Sequence, residues 1–370
     1  MWDLLRPDTF GAWRDPRIQE RFPHYWKLLH NQEVAYYKIA KSVEVPQLEP
    51  VCDIAELKKM HKSARQQFRE KFAAGQTLQE FDEKPLPSGP TFLDLKVRLA
   101  QEYLRSCNFC ENMCGVDRTQ GKVGTCGVPE NVCVASAFAH MGEETLLIPS
   151  GTVFFFGCTF KCVFCQNSDI SQEWRTSKSP LSGSVTPEEL ARIVKRLYSQ
   201  EVKNINYVGG DPTSDLHIIL ESMQYHDMNI CLLWNSNFYN SLDALDLLLD
   251  VMDLWLPDWK YGNDDCAQKY SKITNYVEVM QRNFKIIHDD GSGEIIIRHL
   301  VMPGHVECCS KPALAWIAEN LPKAVVNIMG QYHPEFRAKQ YPEIARRPTP
   351  EEMGDVRRYA TEIGIVWESV

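Results

Sequence analysis

The chain has 370 residues, with 40 Lys and Arg against 49 Asp and Glu, which gives a formal net charge of −9. This acidic balance argues against a protein that follows the phosphates of a nucleic acid. The sequence contains neither a run of about 18 apolar residues nor an apolar export segment near Met1, so we predict no membrane association and a cytoplasmic location.

The sequence suggests three regions. Residues 1–100 have helix-like patterns, most clearly in 24–43 and 53–74, and are predicted to form a helical N-terminal region. Residues 101–150 are rich in cysteine and in glycine-punctuated turns, and are predicted to form a metal-binding segment. Residues 151–370 form the third region.

From residue 151 onward, apolar strand candidates alternate with helical stretches. The strand candidates are 152–157, 205–210, 230–236, 254–259, 294–301, 324–330 and 364–369. The helical stretches are 187–200, 214–225, 241–252, 264–288, 310–320 and 350–362. Strands separated by helices in this way predict βαβ units and a parallel sheet. We therefore predict an α/β fold with a partial (β/α)6-type barrel over 151–370, and chemistry at the carboxyl ends of its strands.

The chain has thirteen cysteines, and an odd number without an export signal indicates metal ligands rather than a disulfide framework. Cys158, Cys162 and Cys165 lie in residues 157–167, named here the cysteine loop, directly after the first barrel strand. Three thiolates at this spacing can hold one face of an iron–sulfur cube and leave one iron open, whereas a structural zinc site takes a fourth ligand. The spacing favours an open cluster over a zinc knuckle or buried thiols.

The turn after the next barrel strand completes a pattern that resembles the radical SAM superfamily, and within it the pyruvate formate-lyase-activating-enzyme-like proteins. This Gly-Gly turn consists of Gly209, Gly210, Asp211 and Pro212. The resemblance covers residues 150–335 and implies a radical SAM barrel, with a [4Fe–4S] cluster on the three cysteines and S-adenosylmethionine (SAM) at the open iron. It further implies that the backbone of the turn receives the ammonium of SAM. Here Asp211 stands where the family has glutamate.

Later strand ends supply further candidates for SAM binding. The resemblance implies cofactor contacts for polar residues at these ends: Ser236, Asn237, Asp258, Lys260, Arg298 and His333. Asp258 and Lys260 resemble the family's D-x4-D-x-K stretch, and His333 corresponds to a histidine that the activases place near the adenosine. No side chain is assigned as a catalytic acid or base, because the cluster and SAM supply the first step.

A second cysteine group precedes the barrel. Its members are Cys107, Cys110, Cys114 and Cys126, with Cys133 as an alternative ligand. Two short spacings between cysteines, followed by a glycine-rich stretch that can turn the chain back, suit a second iron–sulfur cluster or a zinc site. We predict the iron–sulfur cluster and keep zinc as the alternative. The other cysteines are predicted to be packing residues: Cys52, Cys231, Cys266, Cys308 and Cys309.

The resemblance implies reductive cleavage of SAM to methionine and a 5′-deoxyadenosyl radical, which abstracts hydrogen from a substrate. We predict a protein or peptide substrate, with a low-potential ferredoxin or flavodoxin as electron donor. The alternative is a small-molecule metabolite bound inside the barrel. A non-catalytic iron–sulfur or zinc interaction protein conflicts with a cofactor pattern that extends over several strands.

Overall fold

The computed structural model describes residues 12–50, 52–174, 184–291 and 293–367, and an eight-stranded sheet organises them. The strands are β1 (Val134–His140), β2 (Ser150–Phe155), β3 (Asn204–Gly209), β4 (Cys231–Trp234), β5 (Leu254–Trp255), β6 (Asp258–Trp259), β7 (Glu294–Leu300) and β8 (Val325–Met329). The α-helices are α1 (Pro16–Gln19), α2 (Pro23–Leu29), α3 (Tyr36–Ser42), α4 (Ile54–Ala73), α5 (Leu78–Asp82), α6 (Phe92–Leu104), α7 (Ser168–Ser171), α8 (Pro187–Tyr198), α9 (Leu216–Ser222), α10 (Leu242–Leu248), α11 (Asp264–Ser271), α12 (Tyr276–Asp290), α13 (Lys311–Asn320) and α14 (Pro350–Glu362). None of these helices is long and apolar enough to cross a membrane.

Strands β2, β3, β4, β5 and β7 are neighbours in this order and run parallel, and both β6 and β8 pair with β7. The predicted strand 254–259 is divided into β5 and β6, which pair with successive parts of β7. Pro257 lies between them and cannot donate a ladder hydrogen bond. The predicted α/β fold with a parallel sheet is confirmed.

The sheet curves around two buried acidic residues. Asn206 on β3 donates a hydrogen bond to Glu143 Oε1 at 3.1 Å, and Asn327 on β8 donates to Glu144 Oε1 at 2.8 Å. Because β4, β5 and β7 separate β3 from β8, these side chains can reach adjacent residues only across a concave face. The predicted partial barrel is thereby confirmed, and over the described ranges the sheet stays open.

Three details of the sequence prediction were wrong. Strand β1, antiparallel to β2, lies where only turns were predicted. The strand candidate 364–369 forms, in its described part, a single bridge between Val366 and Val325. The predicted helix 264–288 is split into α11 and α12, because Lys272 and Asn275 have φ of 61° and 50°, a left-handed backbone that interrupts a helix.

Helices α2 and α3 cover the amino ends of the parallel strands. His24 contacts Glu33 at 2.7 Å and Asp253, the residue before β5, at 3.0 Å. The backbone nitrogen of Tyr36 also donates to Asp253, and that of His24 donates to Glu294, the first residue of β7. Burial opposes a charged imidazole, but hydrogen bonds to Asp253 and Glu33 outweigh it and raise the pKa of His24 to about 9. The N-terminal helices therefore lie opposite the carboxyl ends of the strands.

We predict that His24→Gln lowers the free energy of unfolding by about 3 kcal/mol at pH 6 and by much less at pH 10. Because the pKa of His24 is raised from 6.5 to about 9 by folding, its charge stabilises the protein fully below pH 6.5, and this contribution is lost as the pH rises through 9. Chemical denaturation at both pH values measures the effect, with the exposed His30→Gln as control. An equal loss at both pH values would contradict a charged His24.

Candidate functional site

The cysteine loop leaves β2 with its sulfur atoms turned inward. Cys158 and Cys162 are buried and Cys165 is half-buried. Each sulfur has a polar neighbour: Phe160 N at 3.4 Å from Cys158, Ser271 Oγ at 2.9 Å from Cys162, and Ser171 Oγ at 3.2 Å from Cys165. Burial raises the pKa of Cys158, and raises that of Cys162 to about 12. Three inward-facing sulfurs with polar neighbours suit a metal–thiolate centre.

The Gly-Gly turn packs directly on the start of the cysteine loop. Gly209 has a φ of 144°, and a Cβ there would lie 2.3 Å from the backbone nitrogen of Phe155. A Cβ at Gly210 would lie 1.8 Å from the carbonyl oxygen of Gly157. The backbone nitrogen of Asp211 donates to the same carbonyl at 2.9 Å. Only glycine fits at both positions, so the turn and the cysteine loop are in direct backbone contact.

Asp211 connects this turn to the loop that follows β4. Its buried carboxylate accepts hydrogen bonds from the backbone nitrogens of Thr213 and Asn237, both at 2.9 Å. Burial raises the pKa of Asp211, and these hydrogen bonds oppose the rise. Asn237 Nδ2 donates to Thr159 Oγ1 at 2.7 Å and lies 3.8 Å from Cys158 Sγ. Asp211 and Asn237 thus join the carboxyl ends of β2, β3 and β4.

Lys260 and Asp258 form an ion pair at the carboxyl end of β6, the strand that pairs with β7. Burial opposes a charged ammonium, but Asp258 and Cys162 hold the pKa of Lys260 above its ordinary value. Ser236 lies at the same edge, where its carbonyl oxygen accepts from Asp258 N at 2.9 Å. The three residues that the resemblance assigned to SAM, Ser236, Asp258 and Lys260, are therefore brought together beside the cysteine loop.

Arg298 lies on the concave face and is held by acidic residues that the sequence reasoning missed. Its Nε donates to Glu144 Oε1 at 2.8 Å, and its Nη2 pairs with Glu143. Its Nη1 lies 3.3 Å from Asn235 Oδ1. Glu143 and Glu144 stand in the loop between β1 and β2, and no motif distinguishes them from surface acids. Only the curvature of the sheet brings them to Arg298.

His333 lies at the margin of this group. Its Nδ1 is 3.2 Å from Gln166 Nε2, and its Nε2 is 3.0 Å from Glu335 Oε1. Gln166 directly follows Cys165 in the chain. The described contacts therefore place His333 beside the end of the cysteine loop and not among the strand ends that hold Asn237 and Lys260.

The second cysteine group packs against the same end of the barrel. Asn112 Nδ2 donates to the carbonyl oxygen of Thr159 at 2.9 Å and lies 3.6 Å from Cys110 Sγ. The hydroxyl of the same Thr159 accepts from Asn237, which contacts Cys158. A chain of polar contacts through Asn112, Thr159 and Asn237 therefore links a sulfur of the second group to a sulfur of the cysteine loop.

Two other members of the second group, Cys107 and Cys126, lie close to Cys110. Burial raises the pKa of the Cys110 thiol above its ordinary value, and the nearby Cys126 and Cys107 contribute to the rise. A Cβ at Gly124 would lie 2.7 Å from Cys114 Sγ, so the side chain of Cys114 packs directly on this glycine. Cys107, Cys110 and Cys126 are thus near enough to influence one another electrostatically.

Comparison with known proteins identifies the family. The model of the radical SAM superfamily matches residues 152–316. An uncharacterized protein of Methanocaldococcus jannaschii is 46% identical over 267 residues, which are 71% of this chain and 77% of that protein. The chain belongs to the radical SAM superfamily and is a radical SAM enzyme. The family implies a [4Fe–4S] cluster and SAM as cofactors.

Solved structures similar to the chain include two from bacteria. Streptococcus suis SuiB bound to the precursor peptide SuiA has a TM-score of 0.41 and 14% sequence identity, over 55% of this chain and 43% of SuiB. A radical SAM methyltransferase from Sphaerobacter thermophilus has a TM-score of 0.42 and 14% identity, over 87% of this chain and 94% of the methyltransferase. The chain thus spans less than half the length of SuiB.

The residues at the carboxyl strand ends fit the cofactors of the family. The cysteine loop offers three sulfurs and no fourth cysteine, as an open cluster requires. Beside Arg298, the buried atoms Asn235 Nδ2 and Glu144 Oε2 have no hydrogen-bond partner in the described part of the chain. Because buried polar atoms are normally paired, these two are available to a polar group of a bound cofactor or substrate.

We predict that Asp211→Asn lowers the free energy of unfolding by about 1–3 kcal/mol and weakens SAM binding. The amide retains one acceptor oxygen, so one of the two backbone N–H groups of Thr213 and Asn237 loses its partner. Chemical denaturation and calorimetric titration with SAM measure the two effects. The exposed Asp169→Asn serves as the control, and equal behaviour of both variants would contradict a joining role for Asp211.

Proposed function

We propose that this radical SAM enzyme abstracts hydrogen from a protein or peptide substrate, as an activase-like or peptide-modifying enzyme similar to the pyruvate formate-lyase-activating proteins. Asp211 supports the radical chemistry most directly, because it joins the cysteine loop, the Gly-Gly turn and the loop after β4 into one site. When bound, the [4Fe–4S] cluster and SAM supply the 5′-deoxyadenosyl radical that removes the hydrogen atom.

Within this proposal, Cys158, Cys162 and Cys165 hold the cluster. Both carboxylate oxygens of Asp211 already accept backbone hydrogen bonds, so this residue orients the Gly-Gly turn and leaves the SAM ammonium to the carbonyl groups of the turn. Asn237 positions the loop that faces the cofactor, and Lys260 supplies positive charge at the same edge. None of these residues transfers a proton.

The polar side chains that surround Arg298 support a polypeptide substrate. Asn235 offers an unpaired N–H donor and Glu144 an unpaired acceptor, and both contact the same guanidinium. An unpaired donor and an unpaired acceptor at one place complement the C=O and N–H that a single residue of an extended peptide presents on the same side of its backbone. Over the described ranges the sheet is open between β1 and β8.

A small-molecule metabolite is the second candidate substrate. The buried charges of Arg298, Glu143 and Glu144 form a compact polar surface on the concave face. Such a surface suits a small charged ligand as well as a peptide bond. The two candidates differ in size, so fractions of a cell extract can separate them.

We further propose that the second cysteine group holds an auxiliary iron–sulfur cluster, with zinc as the alternative. The contacts through Asn112, Thr159 and Asn237 support a cluster, because they provide a short polar path between the two cysteine groups. An electron from a low-potential ferredoxin or flavodoxin would then reach the cysteine loop through the second group.

Replacing Cys158, Cys162 and Cys165 together by Ala is expected to abolish 5′-deoxyadenosine formation and to leave the metal of the second group in place. Metal analysis after anaerobic reconstitution gives the content of each variant. The reciprocal variant, with Cys107, Cys110 and Cys114 replaced by Ala, is the matched control and should keep the other metal. Complete loss of metal from the first variant would contradict two separate sites.

For the substrate, we expect that a macromolecular fraction of cell extract stimulates 5′-deoxyadenosine formation by the reconstituted, reduced enzyme. Protease treatment of that fraction should remove the stimulation, and the Cys158→Ala variant should show none. Stimulation only by the small-molecule fraction would replace the protein substrate with a metabolite. Absence of 5′-deoxyadenosine under every condition would contradict the radical chemistry itself.

A further inference from the structure

Three metal-ligating side chains meet at a place that neither cysteine group includes. The sulfurs of Cys266 and Cys308 and a ring nitrogen of His305 all lie within 4.8 Å of one another. Cys266 is in the first turn of α11, whereas His305 and Cys308 belong to the turn and the π-helix (Val306–Ser310) that follow β7. Cys266 and Cys308 were predicted to be packing residues; this is wrong for Cys308, which is exposed, whereas Cys266 is half-buried and packs against the hydrophobic core.

The ring of His305 is oriented as a metal-binding histidine is. Its Nδ1 lies 2.7 Å from the carbonyl oxygen of Pro303, which can only accept, so Nδ1 carries the proton and, in the neutral ring, Nε2 keeps a lone pair. The Tyr270 hydroxyl lies 3.2 Å from Nε2 but donates its single proton to Glu343 Oε1 at 2.7 Å. The lone pair of Nε2 is therefore not engaged by this hydroxyl.

The side chain of Asn263 and the close packing at Gly262 hold the two cysteine-bearing segments together. Asn263 accepts a hydrogen bond from Cys266 N at 2.9 Å and donates one to the carbonyl oxygen of Cys308 at 2.8 Å. A Cβ at Gly262 would lie 2.6 Å from the carbonyl oxygen of Cys309. The close approach that brings the thiols together therefore depends on glycine at 262 and on asparagine at 263.

We propose that Cys266, His305 and Cys308 bind one zinc ion. Two thiolates and one imidazole are ligands that select zinc over magnesium or calcium. Zinc–sulfur and zinc–nitrogen bonds of about 2.3 and 2.0 Å place these tetrahedral ligands roughly 3.5–3.8 Å apart, a small contraction for side chains. The thiol of the buried Cys309 is a near neighbour of this group, with its sulfur 3.8 Å from Cys308 Sγ.

A zinc ion here would also support the cysteine loop. Helix α11 carries Cys266 in its first turn and Ser271 at its last residue. The hydroxyl of Ser271 lies 2.9 Å from Cys162 Sγ and 2.6 Å from the Tyr261 hydroxyl. Zinc bound to Cys266 fixes the beginning of the helix whose end contacts a sulfur of the cysteine loop.

The test compares zinc content in the full chain and in the Cys266→Ser and Cys308→Ser variants, after anaerobic loading with zinc and removal of the excess. We expect each variant to hold one zinc per chain fewer than the parent, whether or not the second cysteine group also binds zinc. The Cys52→Ser variant is the matched control and should keep the parent content. Zinc K-edge X-ray absorption detects zinc alone, so iron clusters do not interfere, and its sulfur signal should fall in both ligand variants.

Unchanged zinc content in the Cys308→Ser variant would overturn the proposal. This variant is the decisive one because Cys308 is exposed and its replacement does not disturb the core. Circular dichroism and iron content, unchanged from the parent, show that the variant is folded. A disulfide between Cys266 and Cys308 in the zinc-loaded anaerobic protein, detected by mass spectrometry, would overturn the proposal as well.

Discussion

The carboxyl ends of β2 and β3 approach so closely that no side chain fits between them, and the candidate site depends on this contact. A Cβ at Gly210 would lie 1.8 Å from the carbonyl oxygen of Gly157. Because the turn is held there, the carboxylate of Asp211 reaches the backbone of Asn237, and Asn237 in turn reaches the cysteine loop. Backbone packing therefore sets the positions of the Gly-Gly turn and the cysteine loop, and polar side chains then connect the three strand ends.

Sequence reasoning succeeded where the information lies in neighbouring residues. Apolar runs such as 152–157 and 205–210 are recognised as strands from their local pattern alone. The predicted parallel α/β fold and the predicted superfamily are confirmed. The spacing of Cys158, Cys162 and Cys165 is equally local, and their role as cluster ligands stays a prediction. Strand β1 was missed because its alanines and serine give a weak strand pattern, and its pairing with β2 decides its structure.

The features that could not be predicted join residues that are distant in the sequence. Arg298 meets Glu144 across 154 positions, and nothing near Glu144 marks it as buried. Cys266 has no cysteine near it in the sequence and Cys308 has only Cys309, and Cys266 and Cys308 meet because α11 and the segment after β7 pack together. Scattered cysteines of this kind are usually packing residues. Tertiary packing brings the two cysteines together, and the spacing of residues in the sequence does not predict it.

The contact between His24 and Asp253 has a consequence for the order of folding. The two residues are 229 positions apart, and Tyr36 contacts the same carboxylate across 217 positions. During synthesis, α2 and α3 emerge long before β5 exists, so they can pack on the nearby helix α4 first and reach Asp253 only after most of the barrel has been made. Such long-range closure slows folding and exposes intermediates to aggregation. The N-terminal helices therefore complete their packing on the barrel late.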